Sequence, residues 1–587
     1  MQQSESPASR AVPGARQIFT GPAGLPIAAV ALVALIWSAY AAALDNGFVW
    51  DDHGYLEFNP ALTSFTELRH AFDRDANQGA NPLAPLSYNY RPVTFASLYL
   101  NARVLGATAR SFHIGNLILH AALALLLLVF LRQRVGGTRP WALGAAFIAT
   151  CWWALHPEQV ETVAWASGRY DLLGSLFCMA ALILQTRQGR LAIAAQGVLL
   201  FLAIMAKESF VPMFAILAVD DWTLRRLDRR AIPKYVFFGA IFCVWQWIRF
   251  RAGTGSLTFS LLMRPVVELA IDYSSAIAIY TERALAPFPL AVAHTYRPVA
   301  GGIVLLVLVL LVSIVVALWR KPRWMAPFMM FALMLGMVGL VLRASGNSAE
   351  RYFYGPSIGL AWLLAIALGK TRDSQKAMTR YAVTGVTVAV IGLNFFSDIR
   401  RVEHWRSDAT LFSEELENGL DDWLGLHHMA VIDAGLGDFP SALSRIETAR
   451  QHALLAGATT GSLAEILFTE GMIYLRLGNG QAALERAQAG LKLLPGFPSL
   501  HLEAAMAFNR LGDEQGEYRE LAEALHLSPE FPEARIAMCR LKHSRKDFEG
   551  ARRELDRVPA SAAAIPEVAR ALKDAANELE NDRNPAE

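Results

Sequence analysis

The run "GLPIAAVALVALIWSAYAAAL" (residues 24–44) decides the fold class, because it is long and apolar enough to cross a lipid bilayer as a helix. The next stretch, "DNGFVWDDHGYLEFNP" (residues 45–60), places two adjacent carboxylates, Asp51 and Asp52, where that helix leaves the bilayer. A signal peptide is the alternative, since Arg10 and Arg16 precede the run. The apolar core of a signal peptide usually spans only about 7–15 residues, so we expect an uncleaved first helix.

The composition of the whole chain also indicates a membrane protein. Of the 587 residues, 54% are hydrophobic and 18% are charged, whereas soluble domains carry about 25% charged residues. The formal net charge of +2 gives no reason to expect nucleic acid as a partner. The four cysteines do not form a disulfide framework, and we expect them to be packing residues.

Further apolar runs follow up to about residue 400, and after it the sequence becomes amphipathic. We predict an all-α fold with about 11 transmembrane helices, because most of these runs approach the length of a bilayer-spanning helix. The predicted helices are residues 24–44, 112–131, 141–156, 170–186, 191–206, 209–223, 235–250, 302–319, 325–342, 355–369 and 381–397.

The basic loops predict the orientation of these helices. Short loops rich in arginine and lysine, such as residues 225–234 and 320–323, alternate with less basic ones, and basic loops stay in the cytoplasm. The N-terminus is then inside and the eleventh helix ends outside. A single crossing by residues 264–296 would invert every later loop. We therefore predict an interfacial or re-entrant helix pair there, with an ordinary twelfth span as the alternative.

The second half of the chain contains a 34-residue repeat. Residues 464–497 and 498–531 align in one register, so that Gly471 corresponds to Ala505 and Pro495 to Pro529. This is the tetratricopeptide-repeat period, and degenerate copies surround "GLGDFPSALSRIETA" and "HSRKDFEGARREL". We predict an α-solenoid whose concave surface binds peptides or proteins. A purely structural cap on the membrane domain is the alternative.

These observations predict a domain organisation. It comprises a cytoplasmic N-terminal tail (1–23), a transmembrane domain (24–400) with an outer loop (45–111) and an interfacial segment (257–298), a connector (401–422), the repeats (423–575) and a C-terminal tail (576–587).

Ionisable side chains gather at the helix ends that face outward in this topology. Such groups are costly near lipid unless they pair or line a cavity. One such residue alone is explained by snorkelling or capping, but their shared face predicts a substrate site. They include Arg91, His156, Glu161, Arg169, Asp171, Lys207, Glu208, Glu350 and Arg351, with Tyr352 beside the last. We predict that Arg91, Arg169, Lys207 and Arg351 converge in one cavity with the acidic pair at its mouth.

These residue types fit one kind of chemistry. A carboxylate at the membrane surface can act as a general base on a hydroxyl, and cations can bind the phosphate of a lipid-linked leaving group. Apolar helices can hold a polyprenyl tail. The sequence contains neither a P-loop nor a Rossmann glycine motif. His53 beside the acidic pair leaves a divalent metal open, although no tight metal-ligand spacing supports one.

A series of sequence blocks resembles a known family. The blocks are "FVWDD", "YRPVTFASLYL", "FHIGNLILH", "ALHPEQVETVAWASGRYDLL", "KESFVP", "ERYFYGPS" and "RVEHWRSDATLFSEEL". In this order they resemble the transmembrane and tetratricopeptide-repeat (TMTC-like) family, whose animal members are protein O-mannosyltransferases. The acidic pair in the first outer loop also resembles the GT-C superfamily of membrane glycosyltransferases.

This resemblance implies a GT-C-like glycosyltransferase that takes a sugar from a polyprenyl-phosphate donor and gives it to a protein hydroxyl recruited by the repeats. One carboxylate of the pair would be the catalytic base, and we prefer Asp52 slightly, because Asp51 lies nearer the helix end. Compact loops and few repeats indicate a bacterial inner-membrane member with periplasmic repeats and an undecaprenyl carrier. The alternative class is a membrane-anchored repeat adaptor without catalysis, which does not explain eleven spans.

Overall fold

The computed structural model describes most of the chain, namely residues 24–57, 59, 62, 64–73, 90–137, 139–187, 189–254, 263–292, 294–371, 377–418, 423–559, 562–563 and 565–581. The predicted N-terminal tail lies outside the described residues. So do parts of the predicted outer loop, interfacial segment, connector and C-terminal tail.

The described residues of the membrane half are almost entirely helical. The helices are α1 (Gly24–Tyr40), α2 (Phe65–Leu68), α3 (Pro92–Leu105), α4 (Ala109–Val135), α5 (Pro140–Ala154), α6 (Val160–Ala164), α7 (Arg169–Leu184), α8 (Arg190–Ala206), α9 (Met213–Thr223), α10 (Ile232–Arg251), α11 (Val266–Leu285), α12 (Gly301–Trp319), α13 (Met325–Ser345), α14 (Tyr354–Thr371) and α15 (Ala377–His404). Short helical turns join several of them, including Ala41–Asp45, His53–Glu57, Pro157–Gln159, Ala166–Gly168, Glu208–Phe210, Pro322–Trp324 and Glu350–Phe353.

Each predicted apolar run overlaps one of these helices, which confirms the all-α membrane fold. Eight described helices are long and apolar enough to cross a bilayer. The apolar part of α5 and the whole of α8 are shorter, at 10–17 residues, and α9 has 11 residues. The number of crossings and their orientation therefore stay predictions.

The core of the membrane half is built around α4, which packs against α1, α5 and α7. Its first turn is fixed by a capping box, in which Thr108 and Ser111 each accept a hydrogen bond from the other's backbone amide. Helix α14 packs between α5 and α13. A Cβ on Gly359 would lie 2.5 Å from the carbonyl oxygen of Pro327, so glycine is what lets α14 approach α13 this closely.

The predicted helix pair within residues 264–296 is wrong. The described residues there form a single helix, α11, which packs on α13, and then an extended segment. That segment ends in strand β1 (His294–Thr295), which pairs antiparallel with β2 (Asn347–Ser348). Asp272 anchors α11 because it accepts hydrogen bonds from Arg343 Nε at 2.8 Å and from the Tyr296 hydroxyl at 2.8 Å.

The second half forms a helical solenoid. Its helices are α16 (Asp408–Glu417), α17 (Trp423–Leu436), α18 (Phe439–Ala456), α19 (Thr460–Arg476), α20 (Gly480–Leu493), α21 (Pro498–Leu511), α22 (Glu514–Leu527), α23 (Pro532–Ser544), α24 (Phe548–Asp556) and α25 (Pro566–Asn581). Gly480, Glu514 and Phe548 begin successive second helices at the predicted 34-residue spacing. Helix α25 continues past the predicted repeat boundary at residue 575.

The connector joins the two halves through hydrogen bonds to the first loop of the membrane half. The Asn46 side chain donates to the carbonyl oxygen of Val402 at 3.0 Å, and the Gly47 amide donates to that of Arg406 at 3.0 Å. The Trp50 amide donates to Asp408 Oδ1 at 2.7 Å. Trp423 of α17 and Glu465 of α19 line one pocket with Asp51, so both helices lie next to the loop that carries the acidic pair.

Candidate active site between the membrane helices and the repeats

The loop that carries the acidic pair turns sharply at Trp50. This residue has φ of +53°, a left-handed conformation that is uncommon for a large side chain. The Asp52 amide closes the turn by donating to the Val49 carbonyl oxygen at 2.9 Å, and the Trp50 ring stacks on Trp165 at 5.3 Å between centroids. The turn places the two adjacent carboxylates in different surroundings.

Asp52 lies inside the protein. Its side chain is fully buried, and Oδ1 accepts from the Ser167 amide at 2.8 Å and from the Ser167 hydroxyl at 2.5 Å. Oδ2 accepts from the Val49 amide at 3.2 Å. Burial raises the pKa of Asp52 to about 7, although these hydrogen bonds oppose the shift. Oδ1 thus holds the loop to the turn Ala166–Gly168, and Oδ2 holds the backbone of the loop itself at Val49.

Asp51 faces the opposite way, into a pocket of about 470 Å³. The pocket lies between the ends of the membrane helices next to the Asp51 loop and the first repeat helices. Its walls include Asp51, Arg351, Tyr352, Asp408, His428 and Glu465. The Asp51 side chain is exposed at the surface of the pocket, but the surrounding walls displace bulk water. This partial desolvation raises the pKa of Asp51, and the Arg351 guanidinium opposes the rise.

Arg351 is the cation of this pocket. Its guanidinium pairs with Glu161, whose Oε2 also accepts from the Arg351 amide at 2.7 Å. The guanidinium lies over the rings of Trp50 at 5.5 Å and Trp165 at 5.4 Å. Arg351 is therefore held from both sides, and its charge faces the pocket that Asp51 enters.

Two further cations lie behind the pocket, around the ring of Tyr170. Arg91 sits 4.5 Å and Lys207 Nζ 4.8 Å from its centroid. Lys207 also lies 5.3 Å from the ring of Tyr352, which lines the pocket. Arg91 pairs with Glu208 at 3.0 Å and Lys207 with Asp171 at 2.7 Å. The Arg91 Nε is buried and has no hydrogen-bond partner among the described residues.

Of the four cations predicted to converge in one cavity, only Arg351 is among the described residues that line this pocket. Arg91 and Lys207 lie beside Tyr170, and their place in one cavity with Arg351 stays a prediction. Arg169 instead points into the packing between α3 and α4, where it donates to Asn116 Oδ1 at 2.8 Å and to Asn101 Oδ1 at 2.9 Å. It also donates to the Phe112 carbonyl oxygen at 2.9 Å. Arg169 therefore joins helices, and the prediction that it lines the cavity is wrong.

His156 and Glu350 do not line the pocket, and both contact other residues inside the protein. His156 is buried, accepts from the Glu158 amide at 3.3 Å and packs on Phe353 at 5.0 Å between ring centroids. Glu350 accepts from Arg401 Nη2 at 2.8 Å, and Arg401 also pairs with Glu414 of α16. The Arg401 guanidinium thereby links the membrane half to the connector.

Several residues of the site were not predicted from the sequence. Asp408 lies inside the block "RVEHWRSDATLFSEEL", so the family resemblance of that block could have pointed to it. It accepts from Trp50 and bonds the His53 Nε2 at 3.0 Å. Glu465 and His428 carry no local signal, because only the folding of the repeats over the first loop brings them to the pocket. Ser167 and Tyr170 stand within a quoted block but gave no chemical pattern of their own.

No group of three or more histidine, cysteine, aspartate or glutamate side chains among the described residues is arranged to hold a metal ion. His53, the metal candidate of the sequence, bonds Glu57 Oε2 at 2.6 Å and Asp408 Oδ2 at 3.0 Å.

Comparison with known proteins gives matches for both halves. A tetratricopeptide-repeat family profile matches residues 518–575. Protein O-mannosyl-transferase F38B6.6 of Caenorhabditis elegans is 24% identical over 403 residues, which cover 66% of this chain and 57% of the worm protein. Human protein O-mannosyl-transferase TMTC3 is 25% identical over 255 residues, which cover 42% of this chain and 26% of the human protein. The chain thus spans little more than half the length of the first of these relatives and about a quarter of the second.

Among solved structures, a chain of the APC/C hetero-tetramer Cut9-Hcn1 matches over 82% of this chain and 89% of its own. Its identity is 12% and its TM-score is 0.24, which is too low to establish a shared fold. The sequence matches are the informative ones: the chain has homologues among the TMTC-family protein O-mannosyl-transferases, and it contains a tetratricopeptide-repeat domain.

Proposed function

We propose that this protein is a GT-C-like membrane glycosyltransferase that transfers a sugar from a polyprenyl-phosphate donor to a hydroxyl of a protein acceptor. One observation carries the proposal: Asp51 and Arg351 line a single pocket where the outer helix ends meet the first repeat helices. The names of the relatives support the reaction class and make mannose the first sugar to test.

Asp51 is the general base of this mechanism. It accepts the proton of the acceptor hydroxyl while the hydroxyl oxygen forms a bond to the anomeric carbon of the sugar. The bond between that carbon and the phosphate oxygen breaks, and the polyprenyl phosphate leaves with the electron pair. A positioned base of this kind accelerates transfer by typically ~10²–10⁴-fold.

Asp51 fits this role better than Asp52, which reverses the preference drawn from the sequence. The pKa of about 7 at Asp52 would suit a base. A base must first reach the proton that it abstracts, however. Asp52 is fully buried and both of its oxygens accept hydrogen bonds, whereas Asp51 is accessible from the pocket.

The donor phosphate binds among Arg351, Lys207 and Arg91. Charge-assisted hydrogen bonds to phosphate are the strong ones, and the unpartnered Arg91 Nε offers one such donor. The carboxylates that pair with these cations hold them in place before the donor arrives. Preorganised cations stabilise the charge that develops on the leaving phosphate.

The repeats bring the acceptor to this site. Helices α17 and α19 contribute one wall of the pocket, including Trp423, His428 and Glu465. A peptide bound along the repeats would therefore pass directly over Asp51. In the predicted topology this side faces the periplasm of a bacterial inner membrane, so the carrier would be undecaprenyl phosphate.

The test is transfer by the purified full chain in proteoliposomes, with polyprenyl-phosphate mannose as donor and envelope proteins as acceptors. Mass spectrometry measures hexose on serine or threonine. We expect Asp51→Asn to reduce transfer by ~10²–10⁴-fold. The control is Asp45→Asn, which removes only an exposed carboxylate of the same loop that pairs with Arg110. Near-normal transfer by Asp51→Asn would overturn the mechanism.

A further inference from the structure

A second pocket, of about 160 Å³, lies at the end of the helix bundle opposite Asp51. It forms where α4, α9 and α14 end and where α5 and α13 begin. Four basic side chains from separate segments line this basal pocket: Arg134, Arg139, Arg323 and Lys370. No described carboxylate is among its lining residues.

The charge of the basal pocket is largely uncompensated. Asp220, which is fully buried behind the lining, pairs with Arg134. No described carboxylate forms an ion pair with Arg139, Arg323 or Lys370. The Arg134 side chain is only 9% exposed, and its Nε is buried without a hydrogen-bond partner among the described residues. A buried donor without an acceptor is costly. An anion in this pocket would accept a hydrogen bond from the Arg134 Nε and so remove that cost.

The walls beside these cations are aromatic and aliphatic. Arg134 lies 5.3 Å from the Trp362 ring, and Lys370 Nζ lies 5.0 Å from the Trp324 ring. A Cβ on Gly369 would lie 2.7 Å from Val135 and 2.8 Å from Trp141. Glycine therefore lets α14 close the pocket against α4 and α5. Cations over apolar walls at helix ends match a ligand that carries a phosphate on an apolar tail.

We propose that the basal pocket binds the phosphate group of a membrane lipid, at the face of the membrane domain remote from the acidic pair. Basic pockets between transmembrane helices are typical sites for anionic headgroups. Arginine recognises phosphate through parallel hydrogen bonds, and Arg134 presents an open donor for this purpose. The site is separate from the proposed donor site, since it uses none of the same residues.

The experiment uses the full chain in nanodiscs and measures quenching of tryptophan fluorescence by brominated lipid, because Trp141 and Trp362 line the pocket. One set of discs contains brominated phosphatidylglycerol in phosphatidylcholine, and the other contains the same mole fraction of brominated phosphatidylcholine in phosphatidylcholine. We expect stronger quenching by the anionic lipid in the wild-type protein. Inorganic phosphate added to the detergent-solubilised chain, with melting temperature as readout, tests the free ion as an alternative source of the same chemistry.

The test variant is Arg139→Gln/Arg323→Gln/Lys370→Gln. All three side chains are exposed, so the fold should tolerate these changes. The matched control is Arg187→Gln/Arg190→Gln/Arg230→Gln, which removes three exposed cations at the same end of the bundle, outside the pocket. Each basic residue near an anionic surface contributes about fivefold to lipid binding, so the test variant should lose at least ~10-fold of its preference for phosphatidylglycerol.

Two results support a phosphate site. Selective quenching that the test variant loses and the control retains assigns the site to a lipid headgroup. Stabilisation of the wild type but not the test variant by inorganic phosphate, without selective quenching, assigns it to the free ion. The proposal is overturned if the wild type shows neither effect, or if the control loses as much as the test variant. Neither readout depends on sugar transfer.

Discussion

Ser167 donates two hydrogen bonds to one carboxylate oxygen of Asp52, from its backbone amide at 2.8 Å and from its hydroxyl at 2.5 Å. The two residues are 115 positions apart in the chain. Their pairing fixes the first outer loop to the segment that precedes α7. It also leaves Asp51, the next residue toward the N-terminus, to enter the pocket.

The first prediction concerns the anchoring role of Asp52. Asp52→Ala leaves the amides of Val49 and Ser167 and the Ser167 hydroxyl without their acceptor. An unpaired buried polar group costs about 1–3 kcal/mol, so we expect a lower midpoint of denaturant unfolding. Ser167→Ala removes only the hydroxyl bond and should cost less. A fully stable Asp52→Ala protein that has lost transfer would instead identify Asp52 as the base.

The second prediction concerns pH and the His53–Asp408 contact. The hydrogen bond to Asp408 raises the pKa of His53 to about 9, and partial burial opposes the rise. A histidine whose pKa is raised by folding stabilises the protein below its unfolded pKa of about 6.5. That stability is lost as the pH rises through about 9.

The variant that tests this contact is His53→Gln. We expect it to lower the melting temperature at pH 6 and to approach the wild type at pH 10. The side chain is partly exposed, so the loss at pH 6 should be about 0.2–1 kcal/mol. His70→Gln removes another partly exposed histidine of the same outer region and serves as the control. An equal deficit for His53→Gln at both pH values would contradict the assignment.

The third prediction separates donor binding from folding. Arg91→Gln/Glu208→Gln removes both partners of a largely buried pair, and replacing both partners is much less destabilising than removing one. We expect the melting temperature to stay near that of the wild type. The KM for the polyprenyl-phosphate donor should rise ~10-fold or more, because a hydrogen bond to a charged group contributes about 1.5–3 kcal/mol.

The control for this pair is Arg445→Gln/Asp433→Asn, which removes a 2.8 Å ion pair of the repeat domain. It should leave the donor KM unchanged. A donor KM that is the same in both double variants would show that Arg91 takes no part in binding the donor.

The fourth prediction concerns topology. The basic loops predict that Arg230 and Glu417 lie on opposite sides of the membrane. Alkaline phosphatase and green fluorescent protein fusions after these residues should therefore report opposite compartments, with Glu417 outside the cytoplasm. Identical signals at both positions would contradict the predicted topology and the argument that the Asp51 pocket faces away from the cytoplasm.

The periodic features of this fold could be predicted from the sequence. Apolar runs mark the membrane helices because lipid tolerates no unpaired backbone, and the 34-residue register marks the repeats because small residues recur where helices touch. The structure of residues 264–296 was harder to predict. Their charges excluded a simple span, but the strand pairing of His294 with Ser348 depends on a partner more than 50 positions away and leaves no local pattern.

The site could be predicted only in part, for a similar reason. The rule that a charge near lipid needs a partner selected Arg351, which lines the pocket, and also Arg91 and Lys207, which lie beside Tyr170. The same rule also selected Arg169, whose partners are the neutral side chains of Asn101 and Asn116. Nothing in the order of Asp51 and Asp52 reveals which one is buried, because the partner that Asp52 meets, Ser167, lies 115 positions away in the chain.

The hydrogen bonds between the connector and the loop after α1 affect the order in which the protein folds during its synthesis. Asn46, Gly47 and Trp50 are held by Val402, Arg406 and Asp408, which the ribosome adds more than 350 residues later. During most of translation the loop lacks these partners, and the pocket has no repeat wall. The Asp51 carboxylate therefore reaches its final position only after the last membrane helix has been inserted. A nascent chain would carry Arg91, Lys207 and Arg351 and still lack the wall that the repeats add to the pocket.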